Sequence, residues 1–250
     1  MKIAIITGGS RGLGKSMALH TAQRGTGVIL TYNSHPEEGA AVAAEINKAG
    51  GKAVALKLDI TDIAGFDVFA AQLKETLKKE WNRDSYDYLV NNAGTAQRTL
   101  IKDTTEAQFD ALMQVHYKGP FFLTQKLLPL MADGGQLINI SSGLARFTNP
   151  SGVATYAALK GAMEVFTRYV AREYASRKIR ANIVAPGAID TQFVGEGGRK
   201  EEEKRMIGEH TALGRCGEAD DIGLLVASLL SEDSRWVNGQ RIEASGGMYL

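Results

Sequence analysis

The chain has 250 residues, 44% hydrophobic and 23% charged, with one cysteine and a formal charge of +1. Such values are ordinary for a globular protein. They leave no cation surplus for a nucleic-acid binder, no run of about 18 apolar residues to span a bilayer, and no second cysteine for an internal disulfide.

Met1-Lys2-Ile3-Ala4-Ile5-Ile6-Thr7 is an apolar run that stops at Gly8-Gly9, too short for a secretory signal. It reads as a first strand over 2–7, and with the lone Cys216 it favours a reducing cytoplasm. Thr7-Gly8-Gly9-Ser10-Arg11-Gly12-Leu13-Gly14 then opens a helix, so its N–H groups face an anion at the helix amino end. Glycine there permits positive φ and close phosphate approach. The same stretch, as Gly9-x-x-x-x-Gly14-Lys15-Ser16, formally matches a nucleoside-triphosphate P-loop, with Asp59 as a loose magnesium ligand.

Further strands are expected over 27–32, 53–58, 87–91, 136–141, 180–185 and 240–244. Phe66, Phe69, Leu73 and Leu77 predict an amphipathic helix, and Leu159, Met163, Phe166 and Val170 form the apolar stripe of another over 154–176. This alternation, without repeat or linker, predicts one α/β domain over 1–250: a doubly wound, parallel seven-stranded sheet flanked by helices. Glycine-rich Gly195-Glu196-Gly197-Gly198 precedes the charged run 199–205. That run reads as a solvated helix face with pairs such as Glu201 to Arg205, or as part of a substrate lid over 190–212.

Tyr156-Ala157-Ala158-Leu159-Lys160 puts a phenol and an ammonium one helical turn apart on the same face. A free tyrosine, with a pKa of about 10, is a poor acid/base group at neutral pH, and an adjacent cation favours its phenolate. The phenol can then give a proton to a carbonyl oxygen, or recover it from an alcohol. Upstream, Ile138-Asn139-Ile140-Ser141-Ser142 reads as a buried strand ending in two hydroxyls, where open α/β sheets carry their sites. Ser142 is assigned to the substrate oxygen, and Ser141 to a turn or cap.

Strand-end serine, Tyr-x-x-x-Lys, Asn91-Asn92-Ala93-Gly94, Pro186-Gly187 and the Thr-Gly-x-x-x-Gly-x-Gly turn together resemble the short-chain dehydrogenase/reductase family over essentially the whole chain. The resemblance implies a Rossmann fold, Ser142 orienting substrate, Tyr156 as acid/base, and Lys160 lowering the tyrosine pKa and holding the nicotinamide ribose. It has Asn91 support the central sheet and line the cofactor cleft, Asp59 meet the adenine and Thr191 the carboxamide, with Ile60, Ala93, Gly94, Pro186, Gly187 and Ile189 also counted as cofactor-binding. Resemblance extends to the 3-oxoacyl-carrier-protein reductase branch, where Arg168 and Arg172 would face an acidic carrier or solvent.

Three departures stand out. His116 occupies the place of the family's asparagine, whose main chain holds a relay water; a packed histidine with a main-chain role is expected, and a titration of its own is the alternative. The Ser142-to-Tyr156 loop is one residue longer than the commonest spacing. Glu243-Ala244-Ser245-Gly246-Gly247 replaces Val-Asp-Gly-Gly, where relatives build subunit contacts, so a homo-oligomer, tetramer or dimer, is expected on weaker grounds.

The second expected strand ends without a carboxylate, while Asn33, Ser34 and Arg11 can donate to a ribose 2′-phosphate. NADP(H) is therefore the expected cofactor, with Gly8, Ser10, Gly12, Leu13 and Gly14 lining its diphosphate and no metal ligand assigned. Loops 94–102, 144–153 and 188–212, carrying Phe147, Phe193, Met206 and Ile207, are expected to line a pocket for a small carbonyl or alcohol. A non-catalytic NADP-binding regulator and a P-loop ATPase are the readings from other classes.

Overall fold

Every residue of Ile3-Ala4-Ile5-Ile6 is fully buried, which is what a strand covered on both faces requires. In the computed structural model, which describes residues 1–149, 151–194 and 197–250, this segment is β1 (Ile3–Ile6), an inner strand of a parallel sheet. It is followed by α1 (Gly12–Gln23), β2 (Gly27–Tyr32), α2 (Pro36–Lys48), β3 (Ala53–Lys57), α3 (Phe66–Trp81) and β4 (Tyr86–Asn91). Then come α4 (Glu106–Met113), α5 (Gly119–Leu127), β5 (Met131–Ile140), α6 (Ala154–Glu173), β6 (Arg180–Pro186), α7 (Glu201–Glu209), α8 (Ala219–Leu229) and β7 (Arg241–Ala244).

The strand order is β3-β2-β1-β4-β5-β6-β7, with every pairing parallel. The order reverses between β1 and β4, so the crevice for a ligand opens beyond their carboxyl ends. Alternation along β1 separates two cores. Ile3 and Ile5 pack with Phe66, Phe69, Leu73 and Leu77 of α3, and Ala4 and Ile6 pack with Met17 and Ala18 of α1 and Ile222 and Val226 of α8.

The expected strands are present, with one start displaced. β5 begins at Met131 rather than 136, because Asp133-Gly134-Gly135, a turn by composition, is absorbed as an irregularity in the ladder with β4. Gly134 sits there at φ +77°, a conformation that glycine adopts without strain. The helix expected over 154–176 ends at Glu173 and continues as a 3-10 turn over Ala175–Arg177. Between α4 and α5 the helix widens into a π-helical turn, Gln114–Lys118, which carries His116.

Candidate active site

The glycine turn after β1 is held from β4. Asn92 Nδ2 donates to the carbonyls of Thr7 (2.9 Å) and Gly8 (3.1 Å), while Thr7 Oγ1 accepts from the N–H groups of Asn92 (2.9 Å) and Ala93 (3.1 Å). Asn92, next to the expected Asn91, is thus a functional residue of this turn whose one sequence signal is the doubled asparagine. A Cβ on Gly14 would stand 2.0 Å from the Gly8 carbonyl oxygen, and Gly8 and Gly12 have φ of +64° and +53°. Arg11 at the helix start makes no side-chain cap, and the first turn of α1 carries no acid. Its leading N–H groups therefore face the crevice as an anion site.

The P-loop reading fails here. Lys15 Nζ is paired with Glu45 on α2 at 2.9 Å, and Ser16 Oγ donates to Asp220 on α8 at 2.6 Å, so neither is turned to a triphosphate. Asp59 instead accepts from the N–H and hydroxyl of Thr61 at 2.8 and 2.7 Å.

Asn33 and Ser34 are exposed past the end of β2, and Arg11 is exposed beside the turn. The fold also returns acids that strand-end reading did not count. Glu37 and Glu38 begin α2, and Ser10 Oγ donates to Glu38 Oε2 at 3.5 Å. Across the crevice, Thr191 lies 3.7 Å from the position a Gly12 Cβ would take, opposite the glycine turn. Pro186 ends β6, Gly187 N–H donates to Ala244 at 3.0 Å, and Ile189 is buried in a bridge with Gly217. Leu13 and Ala93 pack against the two cores, while Ile60 is buried with its carbonyl against Gly119.

A buried polar chain underlies the chemistry-bearing residues. Asn91 Nδ2 donates to Thr124 Oγ1 (2.9 Å) and Asn139 Oδ1 (2.8 Å), and Asn139 Nδ2 donates to Thr167 Oγ1 on α6 (2.8 Å). It ties β4, β5, α5 and α6 together beneath Lys160. The Lys160 side chain is buried, donates to the Ile140 carbonyl at 2.8 Å, and lies 5.5 Å from the centre of the Tyr156 ring. Burial lowers the Lys160 pKa to about 8. Burial likewise pushes the Tyr156 phenol up to about 12, and a hydrogen bond from the Ser142 side chain pulls it down.

The two serines divide differently from expectation. Ser142, whose hydroxyl lowers the Tyr156 pKa, also caps the turn that follows, accepting from Leu144 N–H at 3.2 Å. Ser141 makes no cap; its hydroxyl donates to Glu164 Oε1 at 2.8 Å on α6. The alternation of a strand sends these neighbours to opposite sides, which the added loop residue does not alter.

His116 is 1% exposed and stands edge-on to Tyr156, ring centres 4.9 Å apart. Its Nε2 lies 2.9 Å from the Thr95 carbonyl, an acceptor only, so Nε2 carries the proton and Nδ1 keeps its lone pair. Among the described residues, Nδ1 has no hydrogen-bond partner. Burial, then the Lys160 charge, lowers the His116 pKa to about 3 despite the Thr95 bond. The imidazole is therefore neutral at physiological pH, and the alternative of its own titration near neutrality falls away.

A cavity of about 580 Å³ is lined by Leu100, Leu144, Phe147, Val153, Ala157 and neighbouring residues, with Lys102 among the few polar ones; Tyr156 and Ser142 are not part of its lining. The Phe193 ring lies 6.4 Å from that of Tyr156, centre to centre. Of the expected lining residues in loop 188–212, exposed Met206 and likewise Phe193 and Ile207 do not line this cavity, which is built from residues 100–102 and 144–157. In the expected lid, Asp190 accepts from Arg199 N–H (2.9 Å) and pairs with Lys204 (2.6 Å); Glu201 pairs with Lys204 rather than Arg205, and Arg199 with Glu203. In the glycine-rich stretch 195–198, Gly195 and Glu196 lie outside the described residues, and Gly197 and Gly198 have φ of +84° and +75°.

A family model described as enoyl-(acyl carrier protein) reductase matches residues 8–249. An uncharacterized oxidoreductase of Methylorubrum extorquens is 36% identical over 249 residues, covering 99% of this chain and 97% of that protein. The 3-oxoacyl-(acyl-carrier-protein) reductase FabG of Staphylococcus aureus is 36% identical, covering 100% of this chain and 98% of that protein. Among solved structures, the angucycline C-6 ketoreductase LanV with bound NADP superposes with a TM-score of 0.93 at 37% identity, covering 99% of this chain and 95% of that one.

Proposed function

Since the chain belongs to the short-chain dehydrogenase/reductase family, we propose that it is an NADP(H)-dependent ketoreductase with Tyr156 as its acid/base. The observation that carries this reading is the buried Lys160 ammonium, fixed on the Ile140 carbonyl 5.5 Å from the centre of the Tyr156 ring, with Ser142 capping the turn at the end of β5. When bound, the nicotinamide supplies or accepts the hydride. Tyr156 gives its proton to the carbonyl oxygen, Ser142 hydrogen-bonds the same oxygen, and Lys160 stabilises the phenolate left behind. Lys160 uses one hydrogen bond on Ile140, leaving N–H groups for the nicotinamide ribose. His116 contributes a neutral ring and an Nδ1 lone pair available to a water in the proton path.

The crevice fits the dinucleotide: Gly8, Gly12 and Gly14 clear a path for the diphosphate, and the uncapped start of α1 complements its charge. Ser10 and Leu13 belong to the same turn, Asp59 would meet the adenine, Thr191 the carboxamide, and Ile60, Asn91, Ala93, Gly94, Pro186, Gly187 and Ile189 would complete the cofactor cleft. Arg11, Asn33 and Ser34 support a 2′-phosphate, and LanV is a relative crystallised with NADP.

The largely apolar, 580 Å³ cavity favours a carbonyl on a bulky hydrophobic body. A second reading, 3-oxoacyl-thioester reduction, is supported by the FabG relative and by the room this cavity offers an acyl chain. We place the protein in the cytoplasm as a homo-oligomer, supported by exposed Phe109 on α4 and Val165 and Tyr169 on α6. Among the described residues no helix is long and apolar enough to cross a membrane.

The test follows NADPH oxidation with bicyclic aromatic ketones, aliphatic ketones, and 3-oxoacyl and enoyl thioesters. Tyr156→Phe should abolish turnover while NADPH still binds. Binding without turnover of any carbonyl in the wild type would overturn the enzyme in favour of a regulator.

A further inference from the structure

Charged groups run behind Ser142 and Lys160, on the side away from the crevice. Glu164, one helical turn after Lys160 on α6, receives two hydrogen bonds on Oε1: from Ser141 Oγ at 2.8 Å and from Arg241 Nε of β7 at 2.7 Å. Arg241 spreads its other donors, Nη1 to Glu243 Oε2 at 2.8 Å and Nη2 to the Ser142 carbonyl at 3.3 Å. Ser141 Oγ also lies 3.3 Å from the Lys160 carbonyl. Glu243 is held in turn by Arg146 at 2.9 Å and by Ser245 Oγ at 3.2 Å.

Two cations and two carboxylates thus balance, and the Arg241, Glu164 and Glu243 side chains are 21%, 13% and 17% exposed. Largely buried ion pairs add little net stability over apolar packing. The β6–β7 ladder already fixes β7. What the charged chain adds is its endpoints, which are the main chain of Ser142 and, through Ser141, that of Lys160. An arginine suits the task because its planar fork reaches three acceptors at fixed angles, where a lysine offers one compact charge.

We propose that Arg241, braced by Glu164 and Glu243, is a positioning residue that sets the separation of the Ser142 hydroxyl from the Tyr156 phenol. The brace touches neither cofactor cleft nor substrate cavity, so its loss acts on the bond-making step and not on binding. Misplacing a reacting group by about 1 Å is enough to cost on the order of 100-fold in rate.

This proposal rests on the roles given above to Ser142, Tyr156 and Lys160, and the experiment separates the two. Wild-type ketone reduction that is lost in Tyr156→Phe tests those roles; their failure would appear in these two proteins alone. Arg241→Met, Arg241→Lys and Glu164→Gln then test the brace, each with Tm, NADPH Kd, KM, kcat and the solvent deuterium isotope effect on kcat measured together. The expected result is a 10- to 100-fold fall in kcat, with KM and NADPH Kd within twofold and a larger solvent isotope effect as proton transfer becomes limiting. Arg241→Lys should recover Tm and not kcat. Variants that lower Tm while kcat stays within twofold, or that raise KM alone, would overturn the proposal, as would full recovery of kcat by lysine.

Discussion

Replacing Lys160 with methionine should make the protein more stable at neutral pH while removing its activity. The ammonium is 6% exposed, has one hydrogen bond, to the Ile140 carbonyl, and belongs to no ion pair among the described residues. Burial carries its pKa from the ordinary lysine value down to about 8. At about 1.4 kcal/mol per unit, housing the charge costs the native state about 3 kcal/mol. Below pH 8 both folded and unfolded chains hold the proton and the whole penalty applies. Between pH 8 and the unfolded value near 10.4 the unfolded chain binds a proton that the native chain does not, so native stability rises with pH. Methionine removes the penalty and the pH dependence together, and forfeits the Ile140 hydrogen bond, leaving a net gain of about 1–2 kcal/mol at pH 7. Urea unfolding of both proteins at pH 7, 8, 9 and 10 measures the difference directly, with the other tyrosines and lysines cancelling. The wild type should close the gap and overtake the variant across this range. A stability difference that stays flat with pH, or a variant less stable at pH 7, would refute the reasoning.

His116 makes the opposite demand at low pH. Its folded pKa of about 3 lies below the unfolded value, so stability is lost as pH falls below about 6.5, by about 3 kcal/mol at pH 4.5. Urea titration of His116→Asn should show that slope removed, with the pH–rate profile above pH 6 unmoved. Arg11→Ala should lower the NADPH-to-NADH ratio of kcat/KM by about tenfold, the scale of one charge-assisted bond. Glu38→Gln should raise the same ratio, since it removes a carboxylate beside Ser10. Asn92→Ala strips donors from the Thr7 and Gly8 carbonyls and should cost about 1–3 kcal/mol of stability, with weaker NADPH binding by calorimetry.

Alternation of apolar runs with helical stripes was enough to read the seven strands in order, because the inner strands are largely buried on both faces and their composition has little freedom, while the edge strands β3 and β7 are only partly buried. β5 was misjudged at its start since Asp133-Gly134-Gly135 has turn chemistry, and only its partner strand shows that the chain stays in the sheet. Ser142, Tyr156 and Lys160 were legible because one strand end and one helical turn bring them together. The Ser141 contact with Glu164 was hidden, as was Glu38 beside Ser10, because each joins groups from separate elements. Arg241 and Glu164 are likewise far apart in sequence, and no local period links them. Asn92 was masked by the stronger claim of Asn91, and its role emerges only when β1 and β4 lie side by side.

The π-helical turn at Gln114–Lys118 joins α4 to α5. A turn of this kind is an α-helix carrying one surplus residue. Removing a single amino acid there would let the helix run straight on, rotating everything on one side of the cut by about 100° relative to the other. His116 would then swing off Tyr156, or Thr124 off Asn91, depending on which side yields. Chain length in this segment is therefore under tighter control than residue identity. Most side-chain exchanges would leave the wall of the site facing inward, whereas the smallest deletion would turn it away.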